Sequence, residues 1–189
     1  MFCGASIGFN SIYQEDAKKV GAFLAKNNIG LVYGGGKTGM MGALVNELLA
    51  HDGKVIGIIP HLLKNEEVVH SELTELIETK TMSHRKVAMS KLVDGYIALA
   101  GGFGTLDEIF EALTLGQLGI ENKPIGLLNT NAFFNPILQQ LDVMVQEGFL
   151  KQVNRDMVLV STSIKDLIQQ MHTYKAPTMT KIVNTVVKK

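Results

Sequence analysis

The sequence predicts an α/β fold, a doubly wound parallel sheet with helices on both faces. Two observations carry that prediction. Short apolar runs alternate with helical patterns along the whole chain, as parallel strands joined by crossover helices require. Three glycine-rich turns follow predicted strands: Cys3-Gly-Ala-Ser-Ile-Gly8, Gly34-Gly-Gly-Lys-Thr-Gly39 and Gly101-Gly-Phe-Gly104. In a doubly wound sheet such turns gather along the carboxyl edge, where ligands bind at the switch point of strand order.

The elements follow in order. A first strand is read at residues 1–3; it begins at the first residue, so one or two residues ahead of it are expected. A helix over 12–27 comes next, because Tyr13, Ala17, Val20 and Leu24 fall at i, i+4, i+7 and i+11, the stripe of a helix packed on a sheet. The strand at 30–33 runs into the second glycine turn and a helix over 39–51. Strands at 54–59 and 76–79 precede a helix over 82–93, and the strand at 95–99 leads through the third turn into a helix over 106–118. The strand at 125–128, helix 133–146, strand 157–160 and helix 164–171 complete a Rossmann-like plan.

A chain of 189 residues with 46% hydrophobic content suffices for one well-buried core and not for two. We read residues 1–172 as one domain and 173–189 as a basic tail, since four lysines from Lys175 onward meet no acid. The tail reads either as a solvated terminus or as an anion-binding arm. Lysine plus arginine equals aspartate plus glutamate, 18 each, so no overall field draws the protein to nucleic acid or to a membrane. A small-molecule partner is expected. A run such as Val55-Ile-Gly-Ile-Ile59 is far too short to span a bilayer, and no basic segment precedes a long apolar one near the N-terminus. The lone cysteine, Cys3, precludes an intrachain disulfide and suits a reducing compartment. These features point to the cytoplasm. His51, His61, His70, His84 and His172 show no metal-ligand spacing, so no metal is expected, and no cofactor is implied. No serine sits in a nucleophile-elbow pattern.

The segment Tyr96-Ile-Ala-Leu-Ala-Gly-Gly-Phe-Gly-Thr-Leu-Asp-Glu108 is the most informative. An apolar run delivers a glycine turn into a helix, and the first amides of that helix point free N–H groups at any anion in the turn. Glu108, one turn further on, suggests a ligand larger than its phosphate. The same spacing also fits a capping box with Thr105 as N-cap. The near miss to a P-loop fails on count, because Leu31 occupies the position of the first glycine. The dinucleotide fingerprint lacks its middle glycine and its acidic residue at the end of the second strand.

Arg85 falls three residues after Met82, four before Met89 and seven before Leu92, which puts a guanidinium on the apolar stripe of its helix. A charge turned toward the sheet is costly unless paired. Its partner is expected among Glu108, Glu67, Asp94 and a ligand phosphate, unless the head snorkels to the helix edge. Lys86, about 100° further round, reaches only the margin of such a site.

Met82-Ser-His-Arg-Lys86 and Ala100-Gly-Gly-Phe-Gly-Thr-Leu-Asp-Glu108 resemble the paired motifs of the Lonely Guy family, cytokinin riboside 5'-monophosphate phosphoribohydrolases often labelled lysine decarboxylases. Phe2-Cys-Gly-Ala-Ser6, Val32-Tyr-Gly-Gly-Gly36 and Lys123-Pro-Ile-Gly-Leu-Leu-Asn129 are similar to family segments as well. The resemblance implies hydrolysis of the N-glycosidic bond of AMP and N6-substituted cytokinin nucleotides, with Arg85 and Glu108 as the catalytic pair. It implies substrate contacts from Glu67, Lys86, Gly102, Phe103, Gly104, Thr105, Leu106, Asp107 and Thr114, and a homodimer with sites near the subunit interface. Two departures are Ala100, where the family motif has proline, and Leu115, near a tryptophan of many relatives; the second is expected to alter the base pocket or dimer packing. A non-catalytic nucleotide or molybdenum-cofactor carrier on the same scaffold is the alternative. A pyridoxal-phosphate decarboxylase would need a free lysine amine in a roomy site, and Lys37 and Lys86 are the only lysines near the loops.

Overall fold

A computed structural model describes residues 1–64 and 69–177. Glu67 and residues 178–189 of the basic tail lie outside the described residues. The elements are α1 (Ser11–Lys26), β1 (Leu31–Tyr33), α2 (Gly39–Ala50), β2 (Val55–Pro60), α3 (His61–Lys64), β3 (Glu75–Thr79), α4 (Met82–Leu92), β4 (Tyr96–Ala98), α5 (Phe103–Gln117), β5 (Ile125–Leu128), α6 (Asn135–Gln146), α7 (Gln152–Arg155), β6 (Val158–Ser161) and α8 (Ile164–Thr173). The two short helices α3 and α7 carry too little periodicity to be read from sequence.

Among the described residues every pairing between these strands is parallel, in the orders β1-β2-β3 and β4-β5-β6. Residues 1–3, expected as a full strand, form one bridge, Phe2 to Ala98. That bridge still joins the two halves. The Phe2 amide donates to Ile97 and the Leu99 amide to Phe2, both at 2.9 Å, while the Met1 amino group donates to the Val32 carbonyl. The spatial order is therefore β3-β2-β1, the N-terminal segment, then β4-β5-β6. Strand order reverses beside that segment, which places the switch point between it and β4.

The alternation of side chains puts helices on both faces. Leu31, Tyr33, Ile97, Leu99 and Leu128 join a core with Ala17, Val20 and Leu24 of α1, Leu44 and Leu48 of α2 and Leu167 of α8. Val32, Tyr96, Ala98, Ile125 and Leu127 join a second core with Met89 of α4, Ile109 and Ala112 of α5 and Leu141 of α6. β1, β4 and β5 are buried along their whole length, with side chains divided between the two cores, the signature of a sheet covered on both sides.

Helix starts follow local chemistry. The Asn10 side chain accepts from the Ile12 amide at 3.1 Å and the Thr81 hydroxyl from the His84 amide at 3.1 Å, each satisfying an otherwise orphaned donor. α5 differs. It begins at Phe103, three residues before the expected start, with Gly102 as N-cap and no side-chain cap. Glycine supplies no capping group, so the first amides of α5 keep their donors for another partner.

Candidate active site

The glycine turns over residues 3–8 and 101–104 meet at the switch point and border one cavity of about 570 Å³. Gly34, Met40, Met41, Arg85, Thr105, Glu108 and Phe133 also line it. Turn packing is close at Gly101, where a β-carbon would lie 2.1 Å from Thr105 Oγ1 and 2.8 Å from the Gly4 nitrogen. A β-carbon at Gly102 or Gly104 would meet nothing within 4 Å, so this stretch of backbone faces open space at the N-terminus of α5.

The capping box is not formed. Thr105 lies inside the first turn of α5, 3% exposed, and Gly102 takes the cap position. Glu108 is accordingly a turn and a half into the helix. Its carboxylate lies 3.7 Å from Arg85 Nη2, an ion pair too long to be a hydrogen bond. Burial pushes the Glu108 carboxyl above its ordinary value; the Arg85 guanidinium, the Met1 ammonium and Lys86 oppose that rise without cancelling it. α5 starts earlier than expected, which leaves Glu108 beyond the reach of the terminal amides.

Arg85 is 8% exposed, so its head does not snorkel to the helix edge. Of the expected partners Glu108 meets it, whereas Asp94 borders a separate cavity of about 400 Å³ at the amino edge of the sheet. Arg85 Nε has no hydrogen-bond partner among the described residues. A buried guanidinium with an idle donor and a loose ion pair is poised for an anionic ligand.

Lys86 sits at the cavity margin, 2.7 Å from Asp107 and paired also with Glu111. Burial pulls its pKa down, but the two carboxylates outweigh burial and leave it raised. Lys37 does not border this cavity. A pyridoxal phosphate group therefore does not fit: among the described residues the one lysine lining the cavity is held as an ammonium between two acids. Cys3 borders the cavity with its thiol pushed up to about 12, chiefly by burial.

The other expected contacts divide. Gly102, Gly104, Thr105 and Asp107 line the cavity. Phe103 points outward, 93% exposed, and Leu106 packs against the second core. Thr114 is on an exposed face of α5, its hydroxyl donating to the Phe110 carbonyl at 2.7 Å, and it does not border the cavity. Tyr13 packs against the first core, as expected of the α1 stripe, and also lines the cavity, whereas Phe133 was not anticipated. The run Phe133-Phe134 was the available signal, since two adjacent aromatic residues at the start of a helix cannot both face the core. Among the described residues no three His, Cys, Asp or Glu side chains gather as a metal site would need, and no helix is long and apolar enough to cross a membrane.

The fold and site define a Rossmann-like protein with a glycine-rich, Arg–Glu-bearing cavity at the switch point. Residues 41–171 match the family described as possible lysine decarboxylase. The chain is 40% identical over 185 residues to the probable cytokinin riboside 5'-monophosphate phosphoribohydrolase LOGL2 of Oryza sativa subsp. japonica, covering 97% of this chain and 75% of that one. It is 42% identical over 176 residues to the cytokinin riboside 5'-monophosphate phosphoribohydrolase LOG3 of Arabidopsis thaliana, covering 92% and 81%. The chain belongs to the cytokinin riboside 5'-monophosphate phosphoribohydrolase family. Among solved structures it is similar to the molybdenum cofactor binding protein of Rippkaea orientalis, with TM-score 0.65, 24% identity and coverage of 90% and 92%. It is also similar to the protein TM1055, with TM-score 0.67, 24% identity and coverage of 92% and 100%. These structures share its fold.

Proposed function

We propose that this protein hydrolyses the N-glycosidic bond of nucleoside 5'-monophosphates, AMP and its N6-substituted cytokinin forms, to free base and ribose 5-phosphate. The observation that carries the reading is the Arg85–Glu108 pair, 3.7 Å apart with Arg85 buried and Glu108 partly buried, beside the uncapped N-terminus of α5. A phosphate seated on the amides of residues 102–105 takes up donors that no side chain uses. The sugar then lies toward Glu108, one helical turn deeper.

Cleavage between C1' and the base nitrogen leaves an oxocarbenium-like sugar. An ionised carboxylate at its face stabilises the positive charge and draws a proton from the attacking water, whose hydroxyl bonds to C1' while the proton passes on to the departing base nitrogen. Arginine is not deprotonated in proteins, so Arg85 acts by orienting Glu108 and binding the nucleotide. Gly104, Thr105 and Asp107 shape the cradle, and Lys86 guards its margin. Glu67 and Thr114 are substrate contacts in this reading, as are the backbone groups of Phe103 and Leu106. Thr114 faces away from the cavity within one chain, which suits a homodimer whose second copy completes the site. A cytoplasmic location accords with the single cysteine. The carrier alternative has only the shared fold in its favour, and fold does not carry function.

The test is chromatographic release of free base from AMP and N6-isopentenyl-AMP, with adenosine as control. Release from the monophosphates alone is expected. Release from adenosine at the same rate would remove the phosphate from the argument, and no release at all would end the hydrolase reading.

A further inference from the structure

The connection between β5 and α6 holds more strain than a connection requires. Asn131 and Ala132 both have left-handed backbone angles, φ 51° and 58°, a conformation costly for residues with a β-carbon and less expected of alanine than of asparagine. Buried polar groups hold it in place. The Asn129 side chain accepts from the Phe134 amide and donates to Asn135, both at 2.8 Å, and the Thr130 hydroxyl donates to Asp16 of α1 at 2.8 Å. The Asn129 amide donates to Ser161 of β6 at 2.8 Å. The turn is tied to α1, α6 and β6 at once.

What this turn delivers is Phe133. Phe134 is fully buried, while Phe133 is 37% exposed and borders the cavity of Arg85 and Glu108. The strained turn thus splits an aromatic pair into an anchor and a presented ring. Tyr13 meets that ring at 5.7 Å and 77°, and Phe134 at 5.1 Å and 88°. Two edge-on neighbours fix its plane.

We infer that Phe133 is the platform on which the planar base of the nucleotide stacks, braced by Tyr13; the inference rests on the nucleotide reading of this cavity. Arg85, Lys86, Asp107 and Glu108 are suited to phosphate and sugar, and none offers a flat apolar surface. A heteroaromatic base gains most against an aromatic ring, and stacking tolerates substituents because every base presents a π-face. Phe133 therefore accounts for acceptance of adenine with and without an N6 group.

The test is calorimetric binding of AMP and of ribose 5-phosphate in a Glu108→Gln background, so that the nucleotide stays intact. Phe133→Leu keeps apolar volume without a π-face, and Phe133→Tyr keeps the ring. The expected result is AMP weakened about ten-fold by leucine, restored by tyrosine, with ribose 5-phosphate unchanged in all three proteins. AMP binding unchanged by leucine, equal loss of both ligands, or a tyrosine variant as weak as leucine would overturn the platform. Base release is not the readout, so a protein that binds AMP without cleaving it would end the hydrolase reading and leave this one standing.

Discussion

Gly34 and Arg85 are matched by exclusion: a β-carbon on Gly34 would lie 2.4 Å from Arg85 Nη2, the nitrogen that faces Glu108 at 3.7 Å. Gly34 is not among the residues with left-handed backbone angles, so alanine is acceptable to the backbone there. The demand is for space alone.

Gly34→Ala is therefore predicted to displace the guanidinium with little effect on folding. Misplacing a catalytic group by an ångström costs on the order of 100-fold, and base release from AMP should fall by about that factor while the melting temperature stays within a few degrees. In the Arg85→Ala background the same change should cost nothing further, because the displaced group is already gone. Additive losses measured in the double variant would break the link between the two residues.

Glu108→Gln is expected to abolish turnover and to leave AMP affinity within about ten-fold, roughly 1.4 kcal/mol, since the amides of α5 are untouched. Parallel rate assays and calorimetry read the two quantities. A glutamine variant as fast as the parent would leave Glu108 without a chemical role.

The pH dependence has a defined sign. Burial raises the Glu108 pKa and Arg85 opposes that rise, and the ionised carboxylate is the form that stabilises a cationic sugar. The rate should fall on the acid side at a pH above the usual carboxylate range. Removing Arg85 removes an opposing positive charge, so the acid limb of the residual activity of Arg85→Ala should move to still higher pH. A limb that stays in place in a full pH profile would separate Glu108 from Arg85.

Cys3 is predicted to resist alkylation although it borders the cavity. Its thiol is pushed up to about 12, and the thiolate is the reactive form. Mass spectrometry after iodoacetamide at pH 8 should find the native protein unlabelled and the denatured protein labelled. Rapid native labelling would show the thiol to be ionised.

Much of this was legible in the sequence because periodicity reports burial directly. The alternation of Leu31, Val32 and Tyr33 between two cores and the stripe of α1 follow from it, as does the burial of Arg85 on α4. Helix starts were less legible. Thr105 and Glu108 have capping-box spacing, yet Gly102 won the cap because Thr105 is packed against Gly101. Phe133 was missed for a related reason: its exposure depends on left-handed angles at Asn131 and Ala132, held by Asn129 and Thr130 hydrogen bonds that cross between elements. No local pattern encodes those.

The most direct test of the account is a crystal structure of Glu108→Gln with AMP bound. The account predicts the phosphate within hydrogen-bond distance of the amides of residues 102–105, C1' of the ribose beside residue 108, and the base against Phe133. A nucleotide bound elsewhere, or turned so that its base rather than its phosphate meets the N-terminus of α5, would contradict it.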